Sequence, residues 1–167
     1  MIITLSPQDA IVPASIGLRR QIFALANGLR HFGAMTMTER QFNSAADNAF
    51  DHHILAAMSE YVVARALNLF WEPSVGNTNG VDVGGLVQVR LRRVPGTGSD
   101  LAIRDKDIDD KPYVLVHYPG GLTFELKGWL FGREGKGRGQ FNEQKNVWFV
   151  PPPYRSIDEL LEWVQGK

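Results

Sequence analysis

Apolar and polar residues follow two different periods along this chain, and the change falls near residue 70. Before it, the spacing is helical. Leu18, Ile22, Leu25 and Leu29 follow at steps of 4, 3 and 4, which puts them on one helical stripe. Ser6 before Pro7 forms an N-cap and N1 pair, Pro13 sets the start of the regular helix near itself, and Gly28 and Gly33 set its end near residue 30. Residues 31–46 are small and polar and read as a connection. A second helix is predicted from about Asp47 to Asn68. Phe50, Ile54, Ala57, Tyr61 and Val62 give its apolar side, and no Gly or Pro interrupts it.

After Pro73 the pattern turns strand-like. Gly76, Gly80, Gly84 and Gly85 punctuate the chain, and strands are predicted at about Leu86–Val94, Leu101–Arg104, Tyr113–Tyr118, Leu122–Phe131 and Val147–Val150. Pro151–Pro153 reads as a stiff extended spacer. Ser156 and Glu159 make a capping box for a last helix carrying Ile157, Leu160, Leu161 and Val164. The expected class is α/β (α+β): one mixed central sheet flanked by helices, in a single domain over 1–167. Within it, 1–70 is helical, 76–150 is sheet and 156–165 is a terminal helix.

Composition narrows the chemistry. The chain has 167 residues and no Cys, which excludes disulfides, Cys-ligated zinc, iron–sulfur clusters and thiol catalysis. Its longest run without Asp, Glu, Lys or Arg is Pro112–Phe124, 13 residues, short of a membrane span of about 20. The start, MIITLSPQDA, has no basic region followed by a long apolar one, so a cytoplasmic protein without membrane contact is expected. Charge balances at 18 basic and 18 acidic side chains, but unevenly: residues 1–85 carry 5 and 7, residues 86–167 carry 13 and 11.

Several familiar patterns fail on inspection. Asp105, Asp107 and Asp109 match the start of a calcium loop, but its sixth position is Asp110 and its twelfth Val116, so a solvated turn is expected. The segment Gly132–Gly139 lacks the spacing of a Walker loop and reads as a mobile hairpin tip whose Arg133, Lys136 and Arg138 can reach phosphates. His52 and His53 face about 100° apart on a helix, which suits one packed and one exposed imidazole better than a shared metal.

One group remains: Glu60 in the second helix, Asp82 at a Gly-rich turn, and Gln88 with Arg90 on the next strand. Leu86, Gln88, Arg90 and Arg92 share one strand face; Val87, Val89 and Leu91 form the apolar one, which should pack on a helix. Polar side chains at alternate positions of a central strand must meet solvent, an ion pair or a site.

The order of a Glu-bearing helix, an Asp after a Gly-rich turn and an x-V-R strand resembles the PD-(D/E)XK nuclease superfamily, along VDVGGLVQVRLRR (Val81–Arg93). The wider run, from Glu60 through LNLFWEPSVG, DVGG, QVR, DLAIRDKDIDD and KGWLFG, resembles uncharacterised phage and prophage proteins over nearly the whole chain. The resemblance implies a restriction-endonuclease-like fold. It also implies a catalytic set of Glu60, Asp82, Gln88 and Arg90, of which Glu60, Asp82 and Gln88 would hold Mg²⁺ or Mn²⁺. Arg92, Arg93, Lys136 and Arg138 would then contact DNA. Two positions depart from the superfamily pattern. Gln88 stands in place of an acid, and in place of a Lys stands Arg90, whose guanidinium can clamp a phosphate but cannot act as a base.

That site carries a geometric condition. A two-residue Gly84-Gly85 turn would pair Asp82 with Val87 and aim the acid at the wrong face, whereas an odd-length loop or bulge pairs Asp82 with Gln88. An odd-length connection is therefore expected. The leading expectation is Mg²⁺-dependent hydrolysis of DNA by a phage or prophage nuclease, acting in the bacterial cytoplasm. The alternative is a catalytically inactive nuclease-like module that binds nucleic acid or protein. A third is an assembly or host-inhibiting accessory protein whose partner surface uses Trp129, Phe131, Phe141, Trp148 and Phe149. A homo-oligomer is compatible with each.

Overall fold

The computed structural model describes residues 1–28, 39–76, 81–93 and 100–167, with side chains of the second helix described from Asp51 onward. Leu29, Gly33, Gly80, Val94 and the side chain of Phe50 lie outside the described residues. Along the chain run β1 (Ile2–Thr4), α1 (Pro7–Ala26), α2 (Glu39–Ala66), β2 (Gln88–Arg92), β3 (Leu101–Arg104), β4 (Pro112–Gly120), β5 (Thr123–Phe131), α3 (Gly132–Arg138), β6 (Gln140–Asn142), β7 (Val147–Val150) and α4 (Ile157–Gln165). Among the described residues the fold is mixed α+β with four helices and two sheets.

The single expected sheet is thus divided. One sheet has the order β1-β5-β4-β2, with β2 parallel to β4 and the other pairs antiparallel; the second has the order β3-β7-β6 and is antiparallel throughout. The central strands are β4 and β5. The run from Pro112 to Val116 is buried at every position, as a strand covered on both faces must be. Strand β2, expected at the centre, lies at the edge.

Alternation along these strands builds three layers. Val89, Val114, Val116, Phe124, Leu126 and Trp129 face α2 and α4 and join Leu55, Met58, Val62, Leu160 and Val164 in the larger core. The opposite positions, Tyr113, Leu115 and Leu130, pack on Leu101, Ile103 and Val150 of the second sheet. A sheet with helices on one face and another sheet on the other follows directly from the two-residue period.

The helices differ from expectation at their ends. Helix α1 begins at Pro7, where the Ser6 hydroxyl accepts from the Asp9 N–H, and Pro13 sits inside the helix. The cap, more than the second proline, sets the start. Its inward face is Ala10, Pro13, Ile16, Gly17, Gln21 and Ala24, whereas the stripe of Leu18, Ile22 and Leu25 points outward. Small residues permit close approach: a Cβ on Gly17 would stand 2.6 Å from the His53 carbonyl of α2. Helix α2 begins at Glu39, so residues 39–46 are helical where a connection is expected. His52 is exposed and His53 half-buried.

The segment expected as a mobile tip is α3. Glu134 accepts from the Phe131 N–H at 2.9 Å and closes its first turn, and the Gly132 N–H reaches Lys111 O at 3.0 Å. Gly135 is there for proximity, since a Cβ would meet Ile103 at 2.6 Å. Strands β1 and β6, three residues each, are too short to announce themselves by alternation. Helix α4 follows its Ser156–Glu159 capping box as expected, and the spacer before it has a cis peptide bond between Pro152 and Pro153. No described helix is long and apolar enough to cross a membrane.

Candidate functional site

The hairpin leading into β2 sets the geometry. Val83 and Val87 exchange backbone hydrogen bonds of 3.1 and 3.0 Å, so Gly84, Gly85 and Leu86 form a three-residue connection. Gly84 and Gly85 both have positive φ, 58° and 67°, which side chains resist. The odd length places Asp82 opposite Gln88, in the register that the sequence requires of a shared site. Asp82 also bonds across the strand: its Oδ2 accepts from the Val89 N–H at 2.7 Å. That N–H points away from β4, and Asp82 supplies the acceptor that a neighbouring strand would otherwise provide.

Glu60 reaches the same region from α2. It is 8% exposed, and both of its oxygens are taken by one partner that sequence reasoning missed. Arg20 of α1 donates through Nη1 to Oε1 at 2.7 Å and through Nη2 to Oε2 at 2.8 Å, a bidentate pair. Arg20 Nε donates to Ser74 O at 2.9 Å, and Trp71 Nε1 donates to Glu60 Oε2 at 3.3 Å. The 69–76 segment is therefore tied across the ion pair, and the Gly84 N–H bonds Phe70 O to join that segment to the hairpin.

Electrostatics connects these groups. Burial first, and the charge of Glu60 second, push the Asp82 carboxyl up to about 6, against the pull of the Val89 N–H, Arg90 and Arg20. Burial alone would lower the Arg20 guanidinium, but the hydrogen bonds and charge of Glu60, with Asp82 behind, raise it above its ordinary value. Asp82 thus feels Glu60 and both arginines, and Arg20 feels both acids.

Arg90 is committed elsewhere at the same time. Its Nη2 donates to Asp107 Oδ2 at 2.6 Å, its Nη1 to Val89 O and its Nε to Ala102 O, both at 3.2 Å, and its guanidinium lies 4.9 Å from the Tyr113 ring centroid. Asp107 also accepts from the Arg104 N–H at 2.8 Å. The solvated turn expected at 105–110 is thus corrected at Asp107, which is pinned beneath the sheet by Arg90. Burial and the Asp107 charge push the Tyr113 hydroxyl up to about 12. Arg92 repeats the pattern, with Nε donating to Asp100 O at 3.0 Å. The two arginines join the edge of β2 to β3 and so stitch the two sheets together.

The other cations expected at nucleic acid also have protein partners. Arg93 pairs with Asp51 at 3.3 Å, Lys136 with Asp109 and the Asp107 carbonyl at 2.7 Å, and Arg138 with Pro153 O at 2.8 Å. Trp129 is buried, and Phe131, Trp148 and Phe149 are half-buried in packed layers, which leaves Phe141 the exposed member of that aromatic set. Among the described residues no three His, Asp or Glu side chains gather as a metal set. No family model, curated protein or solved structure matches the chain.

Proposed function

We propose that the chain is a nuclease-like scaffold, of the phage-protein type its motif order resembles, that performs no phosphodiester hydrolysis and serves as a protein-interaction module. The observation that carries this reading is the bidentate hold of Arg20 on Glu60. Mg²⁺ requires near-octahedral oxygen ligands and is usually held by one or two carboxylates with water. Here both Glu60 oxygens are engaged by a cation, one Asp82 oxygen is engaged by Val89, and Gln88 is neutral. Arg20 brings the positive charge that a metal would otherwise supply, so this donor set is a poor fit to Mg²⁺ or Mn²⁺. The partnered state of Arg90, Arg92, Arg93, Lys136 and Arg138 argues in the same direction for DNA, because counterion release needs cations that can turn to phosphate.

A second reading, metal-dependent hydrolysis of DNA in a restriction-endonuclease-like fold, is favoured by one observation. Asp82 lies opposite Gln88, and burial first, with the charge of Glu60 second, raises its carboxyl to about 6, the kind of perturbed acid that functional sites often hold. Incubation of the protein with plasmid and single-stranded DNA in Mg²⁺ or Mn²⁺, beside Asp82→Ala, separates the two. We expect no cleavage and no salt-sensitive retention of DNA. Cleavage lost in Asp82→Ala would establish the enzyme, and DNA retention without cleavage would establish a nucleic-acid module.

A further inference from the structure

Among the described residues the first sheet is bounded by β1 and β2, the second by β6 and β3. Strands β1 and β6 have three residues each, which leaves little open backbone, whereas β2 has five and β3 four. An open edge is a template for another strand, because its N–H and C=O groups stand in a row without partners.

The two longer edges lie within reach of one side chain, Arg90, and charged groups occupy both. On β2, Val87 and Val89 turn their backbone groups away from β4. Val87 gives both of its groups to Val83 of the hairpin. At Val89 side chains take the place of a strand: the N–H donates to Asp82 Oδ2 at 2.7 Å, and the C=O accepts from Arg90 Nη1 at 3.2 Å. On β3, the bond from the Asp105 N–H to Asn146 O sets the parity, so Asp100, Ala102 and Arg104 turn away from β7. Asp100 O accepts from Arg92 Nε at 3.0 Å and Ala102 O from Arg90 Nε at 3.2 Å. The Arg104 N–H donates to Asp107 Oδ2 at 2.8 Å, and Arg104 O accepts from the Asp107 N–H at 3.0 Å.

One guanidinium thus holds a β2 carbonyl, a β3 carbonyl and, through Nη2, the acid that closes the end of β3. A strand approaching either edge must displace a charged group from these bonds, and at Arg90–Asp107 it must break a part-buried ion pair. Edge β2 rests on fewer contacts, one side chain at each Val89 group, so it is the edge that opens first. An antiparallel pair of β2 edges about a two-fold axis gives each copy the acceptor and donor that Asp82 and Arg90 otherwise supply. We infer that Asp82, Arg90 and Asp107 keep these edges closed to strand addition, and that the strand they exclude is β2 of a second copy of this chain. The inference stands apart from DNA cleavage, because it concerns main-chain groups that need neither metal nor phosphate.

Three variants of the full chain test it. Asp82→Ala removes the acceptor, Asp82→Asn keeps one, and Val62→Ala loosens the buried core away from either edge. Sedimentation velocity at about 5–200 µM should show Asp82→Ala forming species above the parent's own mass. Its self-association should be at least about tenfold stronger than the parent's, while Asp82→Asn and Val62→Ala match the parent. Amide exchange locates the contact: in Asp82→Ala the Val89 N–H should exchange freely when dilute and regain protection as concentration rises. Arg90→Met with Asp107→Leu, which uncovers both edges without leaving a lone charge, should associate likewise, and it decides the matter if Asp82→Ala does not fold. The inference is overturned if the edge variants sediment as the parent does, if Asp82→Asn or Val62→Ala associates as strongly as they do, or if Val89 gains no protection with concentration.

Discussion

Two ion pairs flank Asp82, and their exposures are identical: 16% for the arginine and 10% for the acid in both Arg20–Glu60 and Arg90–Asp107. Their construction differs. Arg20 and Glu60 join two helices by a bidentate pair, with Trp71 and Ser74 as further partners. Arg90 and Asp107 meet through one contact, but each also holds main-chain groups, Ala102 O and Val89 O for the arginine and the Arg104 N–H for the acid. The first pair depends on mutual charge, the second on a network that fixes a turn and two sheet edges. Equal burial therefore does not mean equal consequence when a member is removed.

The largest effect should come from the first pair. Arg20→Ala leaves Glu60 buried without its cation, which costs about 3–5 kcal/mol, whereas the double replacement Arg20→Met with Glu60→Leu should recover most of that loss. Denaturant unfolding of the three proteins measures it. A double variant as unstable as Arg20→Ala would mean that geometry, not uncompensated charge, is what the pair supplies.

Asp107→Ala should cost less, about 2–3 kcal/mol, because Arg90 keeps Ala102 O, Val89 O and the Tyr113 ring. Amide exchange should quicken at Arg104 and Ile108 before the core of β4. Uniform quickening across β4 would show that the turn is not an independent unit.

Asp82 supplies a comparison in pH. Its carboxyl titrates near 6 when folded and near 3.8 otherwise, so the folded state binds the extra proton between those values. Stability from this group is present below about pH 4 and is lost as pH rises through 6, on the order of 2–3 kcal/mol. Asp82→Asn keeps an acceptor for the Val89 N–H and should flatten that decline, raising stability at neutral pH. Parallel pH profiles for parent and variant would remove Asp82 as the cause. The smallest effect belongs to Asp110→Ala, which breaks an exposed pair with Arg133 and should shift stability by no more than about 0.5 kcal/mol.

The sequence carried one half of each ion pair. Arg90 stands out as a polar residue alternating along an expected central strand, Glu60 by its place in the motif order ahead of Asp82, and the parity of the Gly84-Gly85 connection made the position of Asp82 derivable. Arg20 did not stand out. Weighting α1 by large apolar residues draws attention to Leu18, Ile22 and Leu25, which face outward, while the inward face is built from Ala10, Pro13, Gly17 and Ala24. The available signal was that row of small residues with Gln21 in it, which marks a close helix contact beside a polar anchor. Asp107 was hidden by its company, since three alternating aspartates in a turn look alike until a strand arginine selects one. Strand order was not legible either: β2 carries the motif, but the continuous apolar run at 112–116 identifies β4 as the strand covered on both faces.

The central claim is that arginine, not a divalent metal, balances the acids at this site. Thermal unfolding at pH 7.5 with and without MgCl₂, matched for ionic strength and repeated with Asp82→Ala, tests it most directly. Binding at about 100-fold excess over Kd would add about 2.7 kcal/mol to the folded state, a shift of several degrees for a chain of this size. The account predicts that the parent and Asp82→Ala show the same negligible response to Mg²⁺. A rise of about 5 °C or more in the parent that Asp82→Ala abolishes would contradict it.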